Sequence, residues 1–464
     1  MLRPALALFL ATLATAQSAV ETTPPRPEPF GPEEFRQRRE ATARALRAKH
    51  PTGRLVVLLR GAAKATDMGP FVQDQDFLWL SGVAEPELAL LLVVGARGEL
   101  ERDELLVPPF SPFSATWDGR FLVPGDEAAK RTGFGAVGNV RSLHDALDTV
   151  LATDASGKRP LLFTATLPAA RTGSTPRKAQ ESDAARAKDI YDGRASREKM
   201  LLHALGRQYT GLPVESLEAV VHALRPVKSA AEIAVLHQCS RIAAAGIAAA
   251  MRATEPGHYE YHVAAVARFT FTLHGAGPDA YAAIVGGGPN GCILHYNACD
   301  RQLLATDLIV MDYAPTLHGY ATDVTRTFPA SGKFSPEQRK LVQDVYEIQQ
   351  ELIADVKPGA RLSTIGAKCA QMLVARGYRS DHGPCHHVGL AVHDPSVDEL
   401  AAGMVITVEP GAYLRDKGMG CRIEDTILVT KDGNVVLSKD VPSTPDAIEA
   451  LMAEPGLLPK PNAK

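Results

Sequence analysis

In the second half of this 464-residue chain, acidic residues stand where apolar strands begin and end, and that placement restricts the possible folds more than any other feature. Leu308-Ile309-Val310-Met311 runs into Asp312, the chain bends through Pro315 to Gly319, and it returns along Ala321-Thr322-Asp323-Val324. Such a hairpin is expected to set Asp312 and Asp323 on neighbouring strands. Met404 to Val408 ends in Glu409-Pro410-Gly411, and Arg422-Ile423-Glu424 opens the apolar run Thr426 to Val429. A buried carboxylate without a partner costs several kcal/mol, so a fold that buries these four acids must also bring positive charge among them.

The complement lies between Asp381 and Asp394, where His382, His386, His387 and His393 fall in one short segment. Gly383-Pro384 forbids a continuous helix there. A single histidine is commonly an ordinary core or surface residue. One imidazole beside four carboxylates is instead a sensible shell for two cations such as Mn²⁺, Co²⁺ or Zn²⁺. Neither H-E-x-x-H nor a clear Ser-His-Asp pattern competes. Gly286, Gly288 and Gly291 do match G-x-G-x-x-G after the strand-like Tyr281 to Val285, with Asp312 downstream. A dinucleotide turn must open a helix, however, and here Pro289 intrudes and Cys292 to Tyr296 reads as another strand-like run. The glycines read better as a tight turn beneath a pocket.

The chain is too long for one hydrophobic core, and its texture divides it in two. From Phe30 to about Arg225, strand candidates (Leu55 to Leu59, Leu88 to Val94, Leu105 to Val107) alternate with helical patterns (Pro32 to Lys49, Leu143 to Ala152), which predicts an α/β domain. Gln73 to Gly82 reads as carboxylates before an aromatic strand that ends on a glycine turn, and Ala169 to Ser182 as a polar loop. The chain turns at Arg225-Pro226-Val227-Lys228-Ser229. Ala230 to Arg252 then forms an Ala-rich helix candidate with Ser229 as N-cap and Glu232 at its third position. Two further helices are expected at His258 to Leu273 and Pro336 to Val356.

A hydrophobic content of 45%, 22% charged residues and a net charge of −3 describe a folded globular chain and give no reason to invoke nucleic acid. Arg3, the apolar Ala5 to Ala14 and Ala14-Thr15-Ala16 read as a secretory signal, which predicts export to a periplasmic or extracellular compartment. That stretch is shorter than a bilayer span and no later segment is longer, so no membrane anchor is expected. Six cysteines without C-x-x-C spacing argue against a structural zinc knot; pairing such as Cys292 with Cys299, or free buried thiols, both remain open.

Ile293-Leu294-His295-Tyr296, Thr325-Arg326-Thr327-Phe328-Pro329, Gly332-Lys333-Phe334, the His382 to Asp394 segment, Val408-Glu409-Pro410-Gly411 and Arg422-Ile423-Glu424-Asp425 follow one another in the order seen in the aminopeptidase P and prolidase family, which this chain resembles from about Lys228 to Ser438. Phe71 to Pro86 and Trp117-Asp118-Gly119 resemble that family's smaller N-terminal domain. The resemblance implies an α/β (α+β) protein whose C-terminal pita-bread, creatinase/aminopeptidase-like domain follows a smaller α/β domain. It implies metal ligands at Asp312, Asp323, His386, Glu409 and Glu424, with Asp323 and Glu424 bridging two divalent ions, Mn²⁺ ahead of Zn²⁺ or Co²⁺. Glu409 would move the proton of a hydroxide held between them, His393 would steady the oxyanion, His295 would lie near the scissile nitrogen, and His382 and Arg422 would line the substrate pocket.

Three departures from the family pattern stand near the expected cleft: Tyr313-Ala314 after Asp312, His387 after the expected metal histidine, and Ala391. The expected layout is a signal peptide at 1–16, a Pro-rich linker at 17–29, an N-terminal α/β domain at 30–227, a catalytic domain at 228–445 and a tail at 446–464. The expected activity is cleavage before proline at position two of a peptide, by a homo-oligomer, dimer or tetramer. Prolidase is the alternative, with a non-catalytic or creatinase-like protein of the same fold behind it.

Overall fold

The structure, a computed structural model, describes residues 29–459 apart from 65–70, 120, 166–180, 182–183, 192, 194 and 380. The expected signal peptide, nearly all of the linker and nearly all of the polar loop fall outside the described residues. Six strands, β1 (Leu55–Arg60), β2 (Ala89–Val94), β3 (Leu100–Val107), β4 (Ala136–Asn139), β5 (Leu161–Thr164) and β6 (Val214–Ser216), form one sheet in the order β4-β3-β2-β1-β5-β6. β1, β2 and β3 run antiparallel, whereas β4, β5 and β6 join in parallel, each after a crossover. β2 is buried along its whole length, as its unbroken Ala-Leu-Leu-Leu-Val-Val run requires.

Gln75–Ser81 is a helix, not the strand its aromatic residues suggested. Asp74 accepts a hydrogen bond from the Phe77 amide at 2.9 Å, and Gly82 ends the helix at a left-handed φ of 68°. These two brackets outweigh the strand preference of the aromatics, and Asp76, Phe77 and Leu80 are buried at helical spacing.

In the second domain the helix Ala230–Ala253 opens with a capping box between Ser229 and Glu232, as expected. It is long and apolar enough to cross a membrane by composition, yet 67% of its apolar stretch is buried inside the fold. It packs on the helix Glu260–Leu273, and a Cβ at Gly246 would stand 2.2 Å from the Phe271 ring, so glycine sets how closely the two approach. This pair underlies an antiparallel sheet of β7 (Ile284–Gly287), β8 (Leu308–Asp312) and, beyond a small hairpin of β9 (Thr316–Leu317) and β10 (Tyr320–Ala321), β11 (Thr325–Pro329), in the order β11-β8-β7. The helices Pro336–Asp355 and Leu362–Ala375 line a second core against β12 (Val405–Val408). The hairpin β13 (Gly411–Leu414) and β14 (Met419–Arg422) follows, and β15 (Asp425–Val429) and β16 (Asn434–Val436) complete a sheet in the order β12-β15-β16. Each half is thus a helix pair under a three-stranded antiparallel sheet, and a bridge between Thr325 and Glu424 joins the sheets. This is the pita-bread arrangement.

Two further expectations are corrected, and one question left open is answered. Cys292 to Tyr296 is not a strand: a short 3-10 helix, Gly288–Cys292, leads into a turn. The segment expected as a tail begins within a helix, Pro445–Met452, whose Ile448 is fully buried. All six cysteines are free thiols.

Candidate metal centre

The sheet register gathers the acids. Asp312, the last residue of β8, pairs with Thr325 at the head of β11, and Thr325 bridges to Glu424. Val408 pairs with Asp425, so the next step of the same antiparallel register sets Glu409 beside Glu424. Asp323 precedes Thr325 by two residues and therefore shares its face. β11 pairs with β8, so Asp323 and Asp312 come together across neighbouring antiparallel segments as the hairpin predicts, with β9 and β10 closing a smaller turn inside it. The side chains of Asp323, His386 and Glu424 offer oxygen and nitrogen atoms all within 4.8 Å of one another.

His386 is oriented for this role. Its Nδ1 lies 3.2 Å from the carbonyl of His387, which fixes the proton there and turns the Nε2 lone pair inward. Nε2 then sits 3.3 Å from Glu409 Oε1, 3.5 Å from Asp323 Oδ2 and 3.9 Å from Glu424 Oε1. Burial pushes the imidazole down to about 4, so it is neutral near pH 7. An unprotonated nitrogen facing three carboxylates lacks only a cation between them.

The carboxylates say the same. Burial, and then the neighbouring charges of Asp312, Glu424 and Asp323 respectively, raise the carboxyls of Asp323, Glu409 and Glu424 well above the ordinary range. Arg422 reaches this cluster, donating to Asp312 Oδ2 at 2.7 Å, but one guanidinium does not balance four acids. Among the described residues Asp312 Oδ1 is buried with no hydrogen-bond partner. A buried carboxylate oxygen of this kind, beside three other acids, is suited to accept a cation.

The surrounding hydroxyls hold the acids in place. Tyr281 donates to Asp323 Oδ1, Thr325 donates to Glu424 Oε2 at 2.6 Å, and the Thr426 hydroxyl donates to the Asp323 carbonyl at 2.7 Å. Arg422 donates to the Tyr413 hydroxyl at 2.8 Å, and that hydroxyl lies 3.0 Å from His382 Nε2, whose Nδ1 stands 2.9 Å from the Gly383 carbonyl and 3.6 Å from Glu409 Oε2. His393 packs against His386 with ring centres 4.1 Å apart. His295 is exposed on the turn after the 3-10 helix, one residue from Leu294, whose carbonyl lies 3.5 Å from Arg422. The structure thus brings together Asp312, Asp323, His382, His386, His393, Glu409, Arg422 and Glu424, and leaves His295 at the rim.

Sequence reasoning missed Tyr281, whose hydroxyl finds its partner 42 residues away, and the part played by Tyr413; neither position carries a local signal. The departures are accommodated within the packing. His387 is fully buried, with Nε2 3.0 Å from the Val397 carbonyl, rather than lining a cleft. Tyr313 is buried on Phe271 with its hydroxyl donating to Asp279, and Ala391 is 2% exposed.

A buried carboxylate seam with one inward-facing imidazole is a shell suited to divalent cations. The pattern of Metallopeptidase family M24 matches residues 234–431, and that of Aminopeptidase P, N-terminal domain, matches residues 35–158. The Xaa-Pro aminopeptidase of Haemophilus influenzae is 31% identical over 418 residues, covering 82% of this chain and 89% of the relative. That of Escherichia coli is 36% identical over 267 residues, 50% of this chain and 60% of the relative. The solved Zn-substituted aminopeptidase P of E. coli, in complex with product, superimposes with a TM-score of 0.73 at 28% identity, covering 91% of this chain and 98% of that one. The chain belongs to the aminopeptidase P family of M24 metallopeptidases and is a divalent-metal aminopeptidase by class.

Proposed function

We propose that this protein removes the N-terminal residue from peptides with proline in second position, using two divalent cations held by Asp312, Asp323, His386, Glu409 and Glu424, with Mn²⁺ the first candidate and Zn²⁺ or Co²⁺ next. The observation that carries the reading is the orphaned Asp312 Oδ1 beside three carboxyls raised well above their ordinary range. When bound, such cations acidify water and polarise a carbonyl. Glu409, whose carboxyl already favours its proton, takes and returns one within reach of the cluster. His393 and His382, both neighbours of that cluster, donate hydrogen bonds to the peptide, and His295 approaches it from the rim. Proline offers a tertiary amide with no N–H, so the bond before it must be recognised by ring shape.

Two further parts of the proposal rest on other features. Arg3 and the apolar run to Ala14 support export. Phe110, Phe113 and Trp117, 63%, 73% and 74% exposed on the N-terminal domain, support burial against a second copy in a dimer or tetramer, which light scattering reads directly.

The test is hydrolysis of Xaa-Pro-Yaa tripeptides and Xaa-Pro dipeptides by metal-stripped protein refilled with each ion. Metal-dependent cleavage of tripeptides is expected. Cleavage confined to dipeptides makes the protein a prolidase, and no turnover with two ions bound overturns the reading.

A further inference from the structure

The connector between the two domains carries a buried ion network that the proposed chemistry does not use. Arg225, at the end of the helix Glu218–Leu224, donates through Nη1 to Asp76 of the N-terminal domain at 2.6 Å and through Nη2 to Asp394 of the histidine segment. Lys228 donates to Asp394 Oδ2 at 2.8 Å and to the Arg225 carbonyl at 2.9 Å. His222 Nε2 lies 3.0 Å from the other oxygen of Asp76. The side chains of Arg225, Lys228 and Asp394 are 1%, 1% and 2% exposed.

Two routes lead from the network to the metal centre. The Asp394 amide donates to the His387 carbonyl at 2.9 Å, and that same carbonyl is the one facing His386 Nδ1. Asp394 also follows His393 directly in the chain. On the other side, Lys228 N donates to the Gly403 carbonyl at 2.9 Å and Val227 bridges Met404, which pins the connector to the segment that becomes β12 and ends at Glu409. A planar guanidinium serves two carboxylates at fixed angles, which an ammonium does not.

We infer that Arg225, clamped between Asp76 and Asp394, is a positioning residue that holds the His386 imidazole in its metal-accepting orientation and makes that orientation depend on the seating of the N-terminal domain. The inference rests on the metal-centre reading above, and it makes the domain junction part of the machinery for metal uptake. Residues around a ligating histidine commonly change metal affinity about 10–100-fold when altered.

The experiment is Co²⁺ titration of metal-stripped full-length protein by calorimetry and by its visible absorption bands, with thermal unfolding followed in parallel. Arg225→Lys keeps the charge and loses the fork; Asp76→Asn leaves the Arg225, Lys228 and Asp394 contacts in place and weakens the link from the N-terminal domain by removing its charge. Leu147→Ala, in the separate apolar core under the helix Leu143–Val150, controls for destabilisation alone. The expected result is about 10-fold or greater weakening of Co²⁺ binding with altered bands for Arg225→Lys, a smaller change of the same kind for Asp76→Asn, and unchanged binding for Leu147→Ala. Wild-type affinity and bands in both junction variants, with only a lowered Tm, reduce the network to a structural joint. If Arg225→Lys does not fold, Asp76→Asn decides alone. Wild-type protein that takes up no Co²⁺ overturns the metal reading and this inference together, whereas normal uptake in every variant overturns the inference only.

Discussion

Two clusters of buried acids in this molecule are built in opposite ways. At the domain junction, Asp76 and Asp394 are met by Arg225, Lys228 and the His222 ring; burial raises the Asp394 carboxyl, but the two cations more than offset this and hold it at about 2. In the cleft, Asp312, Asp323, Glu409 and Glu424 share one guanidinium, Arg422, and three of the four carboxyls rise well above their ordinary range. The junction is closed by cations the chain itself carries. The cleft is left for cations from outside, which is how a structural ion cluster and a metal centre can be told apart without seeing a metal.

The comparison breaks most decisively at the cleft. Asp323→Ala removes a ligand the register places at the centre of the cluster and is expected to weaken Mn²⁺ or Co²⁺ uptake by more than about 100-fold, with loss of peptide hydrolysis. Calorimetry and tripeptide assays check both. At the junction, Asp394→Asn leaves Lys228 without a carboxylate and Arg225 with Asp76 alone in the interior, so stability should fall by about 3–5 kcal/mol, read by urea unfolding of the metal-loaded protein.

The two clusters should also answer pH with opposite sign. Asp394 has a depressed carboxyl, so its stabilisation is present above the ordinary aspartate value and is lost as pH falls toward about 2. The cleft acids have raised carboxyls, so the metal-free folded state holds more protons than the unfolded chain and loses stability as pH rises beyond the ordinary carboxylate range, by about 1.4 kcal/mol for each tenfold difference in proton affinity between the folded and unfolded states. Below about pH 6.5 the depressed His386 and His387 act in the opposite sense, so the decline in the Tm of metal-stripped protein should show as pH rises above about 7, and added metal should restore it most there. A Tm that is flat over that range would count against the uncompensated cleft.

The smallest expected effect is that of Tyr281→Phe. Removing the hydroxyl that donates to Asp323 Oδ1 leaves every ligand in place, and metal affinity should fall about 10-fold with the fold intact. Equal affinity in the variant would show that the carboxylate is held by its backbone setting alone.

Much of this was legible in the sequence because the relevant signals are local. Ser229 and Glu232 mark a capping box within four residues, the helix Pro32–Lys49 has the bounds its pattern predicts, and each acid of the cleft is visible at the end of an apolar run. The helix at Gln75–Ser81 shows the limit of that signal: its aromatic content suggested a strand, and only the Asp74 cap and the left-handed Gly82 reveal otherwise. The hairpin that brings Asp323 to Asp312 was legible as well, but the smaller turn of β9 and β10 inside it was not.

By itself, then, the sequence determined which residues are chemically able to bind cations and which elements carry them, because side-chain type, caps and periodicity act over a few residues. The tertiary structure decided which acids go unbalanced: Asp394 finds Arg225, 169 residues away, while Asp312 Oδ1 finds no partner. Charge compensation acts through space across strands and domains distant in the chain, so no local pattern could have distinguished the closed cluster from the open one.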